Sequence, residues 1–211
     1  MGLLKKYDAF IFDWDGTLNG MRFALRLNES VKHALKLWNK DSSMKDFGTM
    51  GIDLKKKKLS DEQRKNSIMV PLAELPFYMS RPRLQNGTVH VLKKLERAGK
   101  YMAIVSNGNE HRLMKELNYL GIADYFDIIS SAKSLKAMKP NPSGIIAVVK
   151  TLGVKPNRAV YIGDMVDDVI SAKLARVASC AVADGFDSYH RLRSVKPTYL
   201  FKTIEALEKA L

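Results

Sequence analysis

The chain predicts an α/β protein: a doubly wound, Rossmann-like parallel sheet with a small helical module inserted after its first strand. Short, nearly continuous apolar runs recur along its 211 residues, as strands covered on both faces require. From residue 85 onward these runs alternate with apolar residues at three- and four-residue steps, which is the order of a strand–helix–strand wind. The stretch between the first and second runs holds no strand pattern and far exceeds the dozen or so residues that a crossover needs. That excess is read as an inserted module.

The strand-like runs are YDAFIF (Tyr7 to Phe12), YMAIVS (Tyr101 to Ser106), FDIIS (Phe126 to Ser130), AVYIG (Ala159 to Gly163) and SCAVA (Ser179 to Ala183). Val91, Leu92, Leu95 and Ala98 form a helical stripe ending at Gly99, and Leu113, Leu117 and Leu120 form another ending at Gly121. Both end on a glycine stop signal. In NPSGIIAVVKTLG, Asn141 offers an N-cap, Pro142 the first helical position, and Ile145, Val149 and Leu152 one stripe. Within the insertion, Ala24, Leu27, Val31, Leu35 and Trp38 recur at helical spacing, and Ser60 caps a further helix. The expected division is therefore a core of residues 1–17 and 85–211 and a helical cap of residues 18–84.

Chemistry enters with FIFDWDGTLNG, residues 10 to 20. Two carboxylates at the mouth of a buried strand repel each other and resist desolvation, so Asp13 and Asp15 call for a positive partner or a shared proton. Trp14 between them faces the other way along the strand and reads as core. Three later stretches supply partners at other strand or helix ends. IVSNGN ends a strand on Ser106 and Asn107, AMKPNP puts Lys139 before a helix, and YIGDMVDDV places Asp164 after a strand with Asp167 and Asp168 on the next turn. Ligands of an open parallel sheet bind at the carboxyl ends of strands, at the switch in strand order. If Asp13 and Asp164 share a cation, their strands must be neighbours although they are not consecutive. The set suits phosphoryl transfer. Mg²⁺ takes oxygen ligands from Asp13 and Asp164, a carboxylate attacks phosphorus, Asp15 serves as acid and base, and Ser106, Asn107 and Lys139 bind the phosphate. Asp167 reads as a helix N-terminal acid.

DWDGT, VSNG, KPNP and GDMVDD resemble, in order and spacing, the four motifs of the haloacid dehalogenase-like hydrolases. The position of the insertion resembles the type 1 helical cap of the phosphoglycolate-phosphatase-like members. The resemblance implies Asp13 as nucleophile, Asp15 as acid and base with its main-chain carbonyl on Mg²⁺, Ser106 and Lys139 on phosphate, and Asp164 on the metal. Asp168 matches the second acid of the last motif, which joins the metal set through water or orients Lys139. The chain departs from the pattern in NGMRFAL after DGTL and in KLARVASC, which lacks the glycine often found before the fifth strand.

Composition bounds the function further. No apolar run approaches the roughly 18 to 20 residues that span a bilayer, and the lone Cys180 in an apolar setting leaves no disulfide framework. Both fit a cytoplasmic protein with no membrane partner. The net charge of +13 suits either nucleic acid or an anionic small substrate. No zinc-finger spacing or RNA-binding aromatic motif accompanies it, and Lys55 to Lys58 read as a solvated face. The expected substrate is a small phosphorylated metabolite, phosphoglycolate among them. The alternatives are a sugar-phosphate mutase on the same scaffold or a non-catalytic basic protein that binds nucleic acid. A dehalogenase has no leaving alkoxide to protonate and no use for Asp15. Residues 18–84 hold fourteen Lys and Arg against seven Asp and Glu, so Arg22, Arg26, Arg81 and Arg83 near the ends of the insertion are candidates to read a second anionic group. His33, His90, His111 and His190 show no ligand spacing and receive no role.

Overall fold

The computed structural model describes residues 2–20, 81–132, 134 and 137–211. A four-residue helix, α1 (Leu3–Lys6), leads into β1 (Ala9–Phe12), whose four residues are all buried. Phe10 and Phe12 pack into one core cluster and Ala9 and Ile11 into another. An alternating strand wholly apolar on both sides has to lie inside a sheet covered twice, and β1 is central. Its neighbours are β2 (Tyr101–Val105) and β4 (Ala159–Gly163), both parallel to it. The full order is β3-β2-β1-β4-β5-β6, with β3 at Ile128–Ser130, β5 at Ala178–Val182 and β6 at Tyr199–Phe201. The order reverses between β2 and β4, on either side of β1.

Helices cover both faces. On the Phe10 side lie α2 (Thr88–Arg97), through Val91, Leu92 and Leu95, and α3 (Glu110–Tyr119), through Leu113 and Leu117. On the Ile11 side lie α4 (Ser143–Thr151), through Ile145, Val148 and Val149, and α5 (Val166–Leu174), through Ala172. The chain continues through α6 (Tyr189–Ser194) and ends on α7 (Ile204–Ala210). Each fully buried apolar side chain of this size contributes about 1.5–3 kcal/mol. The stripes read from the sequence are therefore the ones that hold the layers together.

The expected strands and stripes are present except at Ala98, which is exposed just past the end of α2, and the other differences have local causes. Gly99 and Gly121 end their helices at φ 61° and 65°, in the left-handed region that glycine enters without strain. Asn141 is not the N-cap of α4. Pro142 occupies that position, and the Asn141 Oδ1 accepts the Ser143 N–H at 2.9 Å, closing a turn one residue earlier. The sixth strand escaped the sequence reading because its three residues are only half-buried at the sheet edge. Ahead of β5, Arg176 stands at φ 59°, a left-handed conformation that costs an L-residue about 1–2 kcal/mol.

Residues up to Gly20 and from Pro82 onward form one compact unit. Where the chain leaves and returns, the two segments are tied: Gly20 N–H donates to the Arg83 carbonyl at 2.7 Å, and Gln85 N–H to the Leu18 carbonyl at 2.8 Å. The expected helices at Ala24 to Trp38 and after Ser60, the Lys55 to Lys58 face, and Arg22, Arg26 and His33 lie outside the described residues. Arg81 and Arg83 are exposed, as are His90, His111 and His190. Cys180 is buried, and burial pushes its thiol well above the usual range. Among the described residues, no helix is long and apolar enough to cross a membrane.

Candidate active site

β1 stops at Phe12, and the Asp13 N–H still donates to the Ile162 carbonyl at 2.8 Å, so Asp13 is the first residue past the sheet. Asp164 follows β4 in the same way. Because β1 and β4 are parallel neighbours in matching register, the two acids arrive side by side. One oxygen from each of Asp13, Asp164 and Asp168 lies within 4.8 Å of the other two, and all three side chains are buried. The strands are adjacent without being consecutive, which is the switch point that a shared cation required.

The loop before α4 brings Lys139 into this cluster. Its Nζ donates to Asp13 Oδ1 at 2.6 Å, to Asp168 Oδ1 at 2.8 Å and to the Tyr161 hydroxyl at 2.8 Å. Tyr161 in turn donates to the Val105 carbonyl at 2.9 Å. The other Asp168 oxygen takes the main-chain N–H groups of Asp164 and Met165 at 3.1 and 3.0 Å. Asp164 accepts from the Thr17 hydroxyl at 2.8 Å and from the Phe186 N–H at 2.6 Å. Gly16, at φ 87°, makes this packing feasible, since a Cβ there would come within 2.3 Å of Asp164 Oδ2.

Electrostatics follow from three buried carboxylates and one ammonium, which reaches Asp13 and Asp168. Burial pushes Asp13 up to about 7 against the pull of Lys139, with Asp168 and Asp15 adding repulsion. Asp164 is raised well above the carboxylate range by burial and by its neighbours Asp13 and Asp168. Burial opposes the charge on Lys139, but Asp13 and Asp168 outweigh it and hold the ammonium well above its usual range. Such a cluster is short of positive charge, and its donors are all oxygen. That donor set fits a hard divalent cation.

The second motif closes the cluster on another side. Ser106, fully buried after β2, accepts the Gly108 N–H on its Oγ at 3.0 Å. Asn107 spends its side chain on the main chain of Lys139: Oδ1 accepts the Lys139 N–H at 2.9 Å, and Nδ2 donates to the Lys139 carbonyl at 3.3 Å. It clamps the lysine loop to the end of β2. Asp167 sits in the first turn of α5, as expected for an acid facing a helix dipole.

Asp15 is drawn away into different company. Arg112 on α3 donates from Nη1 to Asp15 Oδ1 at 2.9 Å and from Nη2 to Oδ2, forming a fork on both oxygens. Nη1 also reaches both oxygens of Glu116, at 3.1 and 3.0 Å, and Trp14 Nε1 donates to Glu116 Oε2 at 2.7 Å. Trp14 is core, as expected, yet its ring nitrogen has this second task. Gly108 is glycine for the same reason: a Cβ there would meet Arg112 Nη2 at 2.6 Å. Sequence reasoning missed Arg112, Glu116, Thr17 and Tyr161. The i,i+4 spacing of Arg112 and Glu116 is that of an ordinary surface pair, whereas Thr17 in DGT carried a weak signal as a hydroxyl inside the motif.

The chain is 31% identical over 121 residues to phosphoglycolate phosphatase 1 of Pseudomonas aeruginosa, a match that takes in 57% of this chain and 44% of that protein. The chain thus spans about half the length of that relative. It is 28% identical over 209 residues to the phosphoglycolate phosphatase of Aquifex aeolicus, with 96% of each covered. In fold it matches a haloacid dehalogenase-like family hydrolase from Streptococcus pneumoniae, with a TM-score of 0.70, 20% identity, and 95% of this chain and 96% of that one covered. The sequence pattern of the haloacid dehalogenase-like hydrolases matches residues 10–182, a span that holds every candidate site residue from Asp13 to Asp168, and the chain belongs to that family.

Proposed function

We propose that the protein is a Mg²⁺-dependent phosphatase that hydrolyses small organic phosphomonoesters through an aspartyl-phosphate on Asp13. The observation that carries this reading is the buried Asp13 carboxylate with Lys139 Nζ at 2.6 Å, set among acids at the carboxyl edge of the sheet. Asp13, Asp164 and the main-chain carbonyl of Asp15 would hold Mg²⁺, which when bound offsets the repulsion among the carboxylates and withdraws charge from the phosphate oxygens. Asp168 acts through Lys139, because its oxygens are engaged by that lysine and by the main chain of Asp164 and Met165.

In the first half-reaction an Asp13 oxygen bonds to phosphorus while the bond to the leaving oxygen breaks, and Asp15 gives its proton to that oxygen. In the second, Asp15 takes a proton from water, the water oxygen bonds to phosphorus, and the Asp13–phosphorus bond breaks to release inorganic phosphate. Lys139 and Ser106 hold the phosphate oxygens throughout, where transition-state charge accumulates. Asn107 serves by keeping Lys139 in place. The insertion between Gly20 and Pro82 is the cap in this reading. The Aquifex aeolicus relative, named a phosphoglycolate phosphatase, supports small esters that carry a carboxylate, and the lone buried cysteine agrees with a cytoplasmic setting.

The test is a panel of phosphomonoesters, with pyrophosphate included, assayed with purified protein and Mg²⁺. Phosphate release from small esters should vanish on chelation and return with Mg²⁺. Hydrolysis that survives exhaustive chelation, or a panel with no hydrolysed ester, overturns the proposal.

A further inference from the structure

The side chain of Asp15 belongs to a second network beside the cation-seeking cluster. Asp15, Arg112, Glu116, Trp14 and Asn19 are all buried, none more than 5% exposed. Taking a guanidinium and two carboxylates out of water costs several kcal/mol per ion, and packed apolar residues of similar volume are often as stable or more so. Stability alone is therefore a poor reason for this triad. What it supplies is orientation. A planar guanidinium on both carboxylate oxygens fixes the plane as well as the position of Asp15. Arg112 is itself fixed by Glu116, and Glu116 by Trp14 Nε1 at 2.7 Å and Asn19 Nδ2 at 3.3 Å.

We infer that Arg112 is a positioning residue for proton transfer: its two-pronged grip holds the Asp15 carboxyl in the orientation that serves the leaving oxygen, with Glu116, Trp14 and Asn19 bracing it from behind. The inference rests on the phosphatase reading, since it needs Asp15 to act as acid. Its signature lies in the leaving group. An alkoxide departs only as it receives a proton, whereas a dinitrophenolate departs without one. Damage confined to the Asp15 step therefore falls on alkyl esters, and general loss of structure falls on both.

The experiment compares kcat/KM, which reports the steps up to phosphoenzyme formation, for phosphoglycolate and dinitrophenyl phosphate with Mg²⁺. Arg112→Gln should lower kcat/KM on the alkyl ester by about 100-fold, at the low end of what general acid catalysis contributes, and on the aryl ester by less than tenfold. Arg112→Lys, a point charge without the fork, should fall between wild type and Arg112→Gln on the alkyl ester. In an Asp15→Asn background, Arg112→Gln should add little further loss. Equal losses on the two esters, a gain in activity, or full additivity with Asp15→Asn overturns the inference while leaving the phosphatase reading intact. A wild-type protein that hydrolyses neither ester removes both. Thermal melting by circular dichroism checks folding, and if Arg112→Gln does not fold, Arg112→Lys carries the same comparison.

Discussion

Asp13 and Asp15 lie two residues apart at the end of one strand, both buried, in surroundings of opposite kind. Asp13 meets the compact ammonium of Lys139 and two further acids, and burial leaves it near 7. Its cluster can still accept positive charge. Asp15 meets a planar guanidinium that occupies both oxygens and is itself backed by Glu116. Its cluster already holds a cation between its two acids. Residue type and burial are the same, so what differs is which element reaches each acid: the loop before α4 for Asp13 and helix α3 for Asp15. Two carboxylates given such different partners are equipped for different work.

The largest effect should come from breaking the Asp13 side. Asp13→Asn is expected to abolish turnover to the limit of detection, and acid-quenched wild-type protein should carry covalent phosphate that the variant lacks. Normal turnover in the variant would remove Asp13 from the nucleophile role. Asp15→Asn should be milder, lowering kcat for an alkyl phosphate by roughly two to four orders of magnitude, with the loss shrinking as the leaving group improves. If Asp15→Asn matches Asp13→Asn on every ester, the two acids do not divide the labour.

A third measurement sharpens the electrostatic half of the comparison. Asp13 is raised in the folded protein to about 7 from an unfolded value of roughly 3.9. Its contribution to stability is therefore fully present below the unfolded value and is lost as pH rises through 7. Asp164, raised by burial and its acidic neighbours, has the same sign. Metal-free protein should lose stability over this window, and saturating Mg²⁺, which needs the deprotonated acids, should raise Tm more at pH 8 than at pH 5. The gain is at most about 1.4 kcal/mol per pH unit for each proton displaced. A Tm gain independent of pH would mean that the cation does not displace those protons.

The smallest expected effect is on the Asp15 side. Trp14→Phe removes one donor to a buried carboxylate, at a cost of about 1.5–3 kcal/mol in stability by denaturant unfolding. The bond that is lost holds the Glu116 side chain and not the main-chain carbonyl of Asp15, so binding of Mg²⁺ should be unaffected. A weakened Mg²⁺ affinity in this variant would show that the two clusters are not separate.

Much of this was legible in the chain of residues alone. The β1, β2 and β4 runs, the Leu113 and Leu117 stripe and the glycine stops at 99 and 121 are local patterns, and a strand or helix buried on a given face must display them. Asp13, Ser106, Lys139 and Asp164 could be picked out because their motifs sit at strand and helix ends, where a parallel sheet binds ligands. The adjacency of β1 and β4 followed from asking two acids to share one cation. Only the tertiary structure decided who faces whom across the sheet. An arginine four residues before a glutamate reads as a solvent-facing pair until β1 delivers Asp15 and Trp14 against it. Asn107 reads as a ligand of phosphate until the loop before α4 lays the main chain of Lys139 along its amide. Tyr161 is one more apolar strand residue until its hydroxyl meets Lys139. Local spacing states what a residue can do, whereas its partners come from segments about 20 to 100 positions away, and which of them meet is settled by packing of the whole core.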